Sequence, residues 1–178
     1  MIDIPNDVVG YHGTERSVVP RLLARDIQQS DQHFEWLGMG FYLWQDSPWR
    51  ARQWAHERFG DAGAVLAVRI TLEGCMDLLN PHWQDHLRDA DAQFVAERLA
   101  AGLDVPANRP SGNRARDCAT INWYCDRAAE DGLHIRSVRA IFEEGDPIFE
   151  ASAIRSQSHT QIAVRDPSVI LEIEEASW

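Results

Sequence analysis

The stretch Ala62–Leu72, AGAVLAVRITL, constrains the fold most. An unbroken run of small and β-branched apolar residues reads as a buried strand. A buried strand needs neighbours, and five further segments read as strands or short strands. These are Asp7–Tyr11, the glycine-aromatic segment Leu37–Trp44, Val138–Phe142, His159–Arg165 and Val169–Ile173. Helices are expected between them. Thr14 is suited to cap a first helix carrying Val18, Leu22 and Leu23, although Pro20 opposes it beyond the first turn. Ser47-Pro48 reads as the start of a second helix to Phe59, with Ala51, Trp54, Ala55 and Phe59 on one stripe. His82–Leu103 and Cys118–Leu133 read as two more, the last ended by Gly132. Asp26–Gln32, Pro106–Arg116 and Glu143–Ser158 read as loops. The order lacks regular βαβ alternation, so the expected class is α+β. At 178 residues, one domain spanning 1–178 is expected.

Charge narrows the partners. The chain carries 28 acidic against 17 basic residues, a formal net charge of −11. It therefore has no global attraction for nucleic acid or anionic lipid, and Pro106–Arg116 is its one locally basic stretch. All the basic residues are arginine, which is read as coding bias. No apolar run approaches the ~20 residues of a membrane span. The start, MIDIPNDVVG, shows no secretory signal. Three cysteines, Cys75, Cys118 and Cys125, are too few for a disulfide scaffold and fit a reducing, cytoplasmic setting. Nucleotide-binding glycine loops, HExxH, GxSxG and CxxC are all missing. His82 and His86 have metal-ligand spacing but no third ligand, so no metal is expected.

Three separated strings carry the chemistry. The first is Tyr11-His12-Gly13-Thr14. The second is Gly38-Met39-Gly40-Phe41-Tyr42-Leu43, followed by Ala51-Arg52-Gln53-Trp54-Ala55. The third is Thr160-Gln161-Ile162-Ala163-Val164. In this order and spacing they resemble the ADP-ribosyltransferase family, in its diphtheria-toxin and poly(ADP-ribose) polymerase branch. The signature of that branch is histidine, tyrosine, glutamate. The chain looks like a small bacterial toxin-type member whose variant is His12, Tyr42, Gln161.

The resemblance implies two small β-sheets packed around an NAD cleft, with NAD as co-substrate. It implies transfer of ADP-ribose to a protein or nucleic acid, in a toxin or phage-defence setting, with an antitoxin or immunity protein as a further partner. His12 is expected to bond a ribose hydroxyl, and the Gly13 backbone to pair with the nicotinamide carboxamide. Tyr42 would stack on the ring with Trp54 opposite, and Tyr11, Thr14 and Gly40 would complete the NAD contacts. Gln161 departs from the pattern. Its amide can orient a ribose hydroxyl but cannot carry the charge that stabilises an oxocarbenium-like state. A lost contact of that kind costs about 10²–10³ in rate. Glu143, Glu144 and Glu150, in the loop before the last string, are the candidate substitutes, and an ordinary solvated turn is their alternative reading. Trp123 and Tyr124, with the basic loop, keep a nucleic-acid acceptor open. Two other activities stay open on the same site: an NAD glycohydrolase, and a pseudoenzyme that binds NAD or ADP-ribose without turnover.

Overall fold

A computed structural model describes residues 6–109 and 112–177. Seven strands form one mixed sheet: β1 (Asp7–Glu15), β2 (Phe41–Gln45), β3 (Gly63–Thr71), β4 (Cys75–Asp77), β5 (Ser137–Phe142), β6 (His159–Val164) and β7 (Ile170–Glu175). Four helices accompany them: α1 (Val19–Leu23), α2 (Pro48–Phe59), α3 (Pro81–Ala100) and α4 (Ala115–Glu130). The class is α+β. The strand order is β4-β5-β6-β2-β1-β3-β7, antiparallel throughout except for the β4–β5 pair.

The expectation of two separate sheets is corrected by the ladder between β1 and β2, which joins all seven strands. That ladder holds two pairs, Gly10↔Gln45 and Tyr11↔Trp44. By contrast β1 pairs with β3 from Asp7 to Glu15, and β2 with β6 from Phe41 to Gln45. Two broad ladders thus share a narrow seam. Beyond Tyr11 the strands β1 and β2 part and leave a fork.

Burial on both faces explains the near-continuous apolar strands. On one face Phe41, Leu43, Leu66, Val68, Ile70, Ile162 and Val164 pack with Val19 and Leu22. On the other face α4 brings Ile121, Cys125 and Ala128 against Val138, Ala140 and Ala163. There α2 lays Ala51 and Ala55 on Val65 and Trp44. Alternation along β2 sends Phe41 and Leu43 to the first face, and Tyr42 and Trp44 to the second.

Several boundaries differ from the sequence reading. Thr14 does not cap a helix; it is buried inside β1, which runs on to Glu15. The first helix starts later, and Pro20 lies in its opening positions, where a missing N–H costs nothing. Asn80, whose side chain accepts from His82 N at 3.0 Å, caps α3 one residue earlier than expected. The short strand β4 is an addition. The cysteines are unpaired, with Cys118 and Cys125 buried on α4. No helix is long and apolar enough to cross a membrane among the described residues.

Candidate active site

The fork opens into a cleft of two adjoining compartments. The larger, about 670 Å³, is lined by His12 and Gly13 of β1, by Tyr42 and Trp44 of β2, and by Trp54 and Arg58 of α2. The smaller, about 240 Å³, adds Trp36, Arg114, Phe142 and Gln161. Phe34, Glu35, Tyr42, Trp44 and Trp54 belong to both walls. His12, Tyr42 and Gln161 therefore come to one cleft from three strands, although residues 12 and 161 stand far apart in the chain. Volumes of this size suit a small-molecule site.

His12 sits at the point where the ladder fails. Its Nδ1 lies 2.9 Å from the Tyr42 carbonyl, so the side chain bridges strands whose backbones have parted. A carbonyl only accepts, so Nδ1 carries the proton and Nε2 keeps its lone pair. Burial holds the imidazole pKa down at about 4, against a smaller upward pull from the Tyr42 carbonyl. The ring is neutral at pH 7 and rests on Phe41, with centroids 4.2 Å apart. It offers an acceptor, not a charge.

Register also aims the Gly13 backbone. Asp46 N donates to Val9 O at 3.0 Å, so the polar groups of Val9 point toward β2. Those of Tyr11 and Gly13 point the same way, because direction repeats every second residue. At Gly13, β2 no longer runs alongside, and the N–H and C=O face the fork. The missing side chain has a separate cause. A Cβ at Gly13 would stand 2.7 Å from Ala51 O and 3.0 Å from Trp54, so glycine lets α2 close on β1. Gly40 is similar, since a Cβ there would stand 2.9 Å from the Ala163 Cβ.

Tyr42 presents its ring to both compartments while its hydroxyl is engaged. The hydroxyl donates to Gly38 O at 2.8 Å and accepts from Leu37 N at 3.1 Å. Burial raises its pKa well above the phenol range, so it stays protonated. The phenol thus ties down the turn before β2. Trp54 enters from α2, tilted against Trp44 with centroids 5.7 Å apart, and the Arg58 guanidinium stands 5.5 Å over its ring.

Gln161 lies on β6, opposite Trp44. The Trp36 indole N–H donates to its Oε1 at 2.6 Å. An indole nitrogen can only donate, so the amide orientation is determined and the NH₂ end is left over. The Gln161 side chain therefore presents donors to the cleft.

Other predicted residues lie elsewhere. Tyr11 packs beside Ala51, Ala55 and Trp54 under α2, and buried Thr14 is not in the cleft wall. Glu143 and Glu150 are exposed and line neither compartment. Glu144 is committed to the buried Arg50, with bonds of 2.8 and 3.1 Å. Trp123 donates to Glu97 and carries the Arg127 guanidinium on its ring, a helix-packing role. The expected basic loop Pro106–Arg116 ends earlier, since Arg116 lies on α4, where Asp91 holds it, and Pro110 and Ser111 lie outside the described residues. Among the described residues no group of His, Cys, Asp and Glu is arranged to hold a metal.

Among the described residues, the carboxylate that does line the cleft is Glu35, in both compartments. Sequence reading passed over it because it belongs to no motif. Its signal was being the one charged residue in the apolar-aromatic string Phe34-Glu35-Trp36-Leu37. Arg58 gave no signal, since an arginine late in an amphipathic helix is ordinary. Compared with known proteins, the chain matches no family model, no curated protein and no solved structure.

Proposed function

We propose that the protein transfers ADP-ribose from NAD to a macromolecular acceptor, using the cleft at the fork. One observation carries the reading: His12, Tyr42 and Gln161 share a cleft with aromatic walls, and each presents a group suited to a nicotinamide riboside. NAD brings an anomeric carbon bearing nicotinamide as a leaving group. The protein's residues bind and orient it. Gly13 offers an N–H and a C=O on the same strand edge, the complement of a carboxamide. Tyr42, Trp44 and Trp54 supply flat apolar surface, where stacking adds about 0.5–1.5 kcal/mol beyond burial. The free Nε2 of His12 accepts from a ribose hydroxyl, and the Gln161 amide donates to a ribose oxygen. Arg58, on the wall of the larger compartment, suits a pyrophosphate.

The occupied Oε1 of Gln161 also favours a second reading, an NAD-binding module without turnover. With Trp36 on that oxygen, this residue brings no negative charge to the reacting ribose. Three measurements on one preparation separate the readings. Calorimetry with NAD tests binding. Nicotinamide release from NAD alone tests hydrolysis. Label transferred from NAD into a cell lysate, sorted by nuclease and protease digestion, tests transfer and names the acceptor class. Binding with neither release nor labelling selects the module, and absence of binding removes both readings.

A further inference from the structure

We infer that Glu35 is the general base of the transfer step, taking the proton of the attacking acceptor group. The inference rests on the ADP-ribosyltransfer reading and adds to it the carboxylate that Gln161 lacks. Glu35 stands in the wall common to both compartments, between the part lined by His12 and the part lined by Gln161. Its Oε2 is buried and has no hydrogen-bond partner among the described residues. A carboxylate oxygen in that state normally costs stability, and proteins pair such groups. This chain pairs Glu144 with Arg50 in two bonds and Asp91 with Arg116 in two more. Glu35 has no arginine partner among the described residues; only the Ser30 side chain and the Gln32 backbone act on its carboxylate as hydrogen-bonding groups.

The turn that carries Glu35 is also fastened. Glu35 N donates to Gln32 O at 3.1 Å, and Gly38 N donates to Glu35 O at 3.0 Å. The turn is fastened by the Tyr42 hydroxyl at Leu37 and Gly38, and by Asn122 Oδ1, which accepts from Met39 N at 2.9 Å. These bonds fix the backbone from which the Glu35 side chain springs. Burial raises the Glu35 pKa, with Asp31 adding to it and the Ser30 side chain and Gln32 backbone opposing. The ionised carboxylate is correspondingly a stronger base. Of the other titratable groups that line the cleft, Arg58 and Arg114 bring guanidinium donors, and His12 and Tyr42 do not compete for the role. The imidazole is a weak base at about 4, and the phenol is already protonated.

The step balances without a further reagent. The bond from the anomeric carbon to the nicotinamide nitrogen breaks, and its electron pair leaves with nicotinamide. A lone pair on the acceptor oxygen or nitrogen forms the new bond to that carbon. The acceptor's proton passes to a Glu35 oxygen and then to water.

Glu35→Gln and Glu35→Ala test this, each read by NAD calorimetry, thermal melting and label transfer to lysate acceptor. Glu35→Gln is expected to keep NAD affinity within about threefold and to lower transfer by about 10²–10⁴, the range of a lost general base. Glu35→Ala is expected to regain part of its activity with millimolar formate, which restores a carboxylate, and Glu35→Gln to gain nothing from it. Transfer within tenfold of wild type in Glu35→Gln overturns the inference and leaves the ADP-ribosyltransfer reading standing. A Glu35→Ala that melts like wild type, is inactive and ignores formate overturns it too. Wild-type protein that binds no NAD, or binds it without labelling anything, removes the underlying reading and this inference with it.

Discussion

The sheet face under α1 and the fork between β1 and β2 are built from the same strands, yet they bury different chemistry. Under α1 the strands contribute Leu43, Leu66, Val68, Ile70, Ile162 and Val164, each fully enclosed and wholly apolar. Among the described residues, the other face buries polar atoms without partners in and beside the cleft: Glu35 Oε2 and Trp44 Nε1 on its wall, and next to Trp44 the Nη1 of Arg50 on α2 and the Nε2 of His159 on β6, whereas the apolar face holds one, Ser137 Oγ beside Val164. Trp44, Arg50 and His159 are each more than nine-tenths buried, at 8%, 7% and 6% exposure. An unsatisfied buried polar group costs about 1–3 kcal/mol. The first face is what a sheet needs to exist. The second is costly to keep, and its cost gathers around Trp44, a wall residue of both compartments. The expected consequence is that changes at the fork damage chemistry more than stability, and changes under α1 do the reverse.

The largest expected effect is at His12. Replacing it with alanine removes the Nε2 acceptor and the bridge to the Tyr42 carbonyl together. Nicotinamide release and transfer should each fall by about 10²–10³, in line with loss of one fixed polar contact to the reacting centre. The melting temperature should move far less than a core cavity would move it. Equal damage to melting and turnover would erase the contrast between the two regions.

Ile70→Ala probes the other side. Ile70 is fully buried on β3, paired with Val8 and four residues along the strand from the partner of His12. Truncation should cost about 2–5 kcal/mol of unfolding free energy, read by denaturant titration. NAD affinity per folded molecule should stay unchanged. A large loss of affinity at full folding would mean that the two faces are coupled and the division is wrong.

Legibility in the sequence followed the same division. The apolar strands could be read because burial on a sheet writes itself into composition, as in Ala62–Leu72. His12, Tyr42 and Gln161 were legible only through a family resemblance, since none of the three stands out by composition. The single sheet was not legible. Whether two ladders join depends on a seam of two pairs, Gly10↔Gln45 and Tyr11↔Trp44, and no periodicity encodes so short a contact. The strand Cys75–Asp77 was missed for the same reason, because three residues show no alternation. Glu35 was missed because its meaning lies in what surrounds it in space. The acids chosen from sequence proximity, Glu143, Glu144 and Glu150, are exposed or already paired.

Acid should separate the regions with a smaller effect. In the folded chain burial lowers the His12 pKa from 6.5 to about 4, and it lowers that of His159 as well. The unfolded chain binds protons at both positions first as pH falls. Stability therefore rises with pH across this window: the contribution is full above about 6.5 and is lost as pH drops toward 4. The melting temperature should decline between pH 7 and 4.5. His12→Asn should decline less over that range, and Ile70→Ala should keep the wild-type slope from a lower start. An identical slope in His12→Asn would show that the imidazole titrates freely and is not held neutral at the fork.

Gln161→Glu tests what the fork's polar groups do rather than whether they matter. The Trp36 indole can donate to a glutamate oxygen as it does to Oε1, so the site should hold its shape. The free end then changes from a donor to a charge. Nicotinamide release without acceptor should rise relative to labelling, because a carboxylate at the ribose favours departure of nicotinamide whatever attacks next. An unchanged ratio of release to labelling would mean that position 161 does not face the reacting ribose.

Tyr42→Phe carries the smallest expected effect and the sharpest mechanical question. The ring, and with it the apolar wall, is kept. What disappears is one hydroxyl that donates to Gly38 O and accepts from Leu37 N. Two bonds of this kind contribute about 0.5–1.5 kcal/mol each, and the freed Leu37 N–H is itself left without that partner. The melting temperature should fall by a few degrees. Binding should suffer little, since the stacking surface survives, and NAD affinity should stay within about threefold, whereas Tyr42→Ala should weaken it more. Transfer should fall further than affinity, because the loosened turn carries Glu35 two residues ahead of Leu37. A larger loss of transfer than of affinity ties the phenol to the position of the carboxylate. Equal losses would assign Tyr42 to holding the ligand alone and would detach the turn from the chemistry.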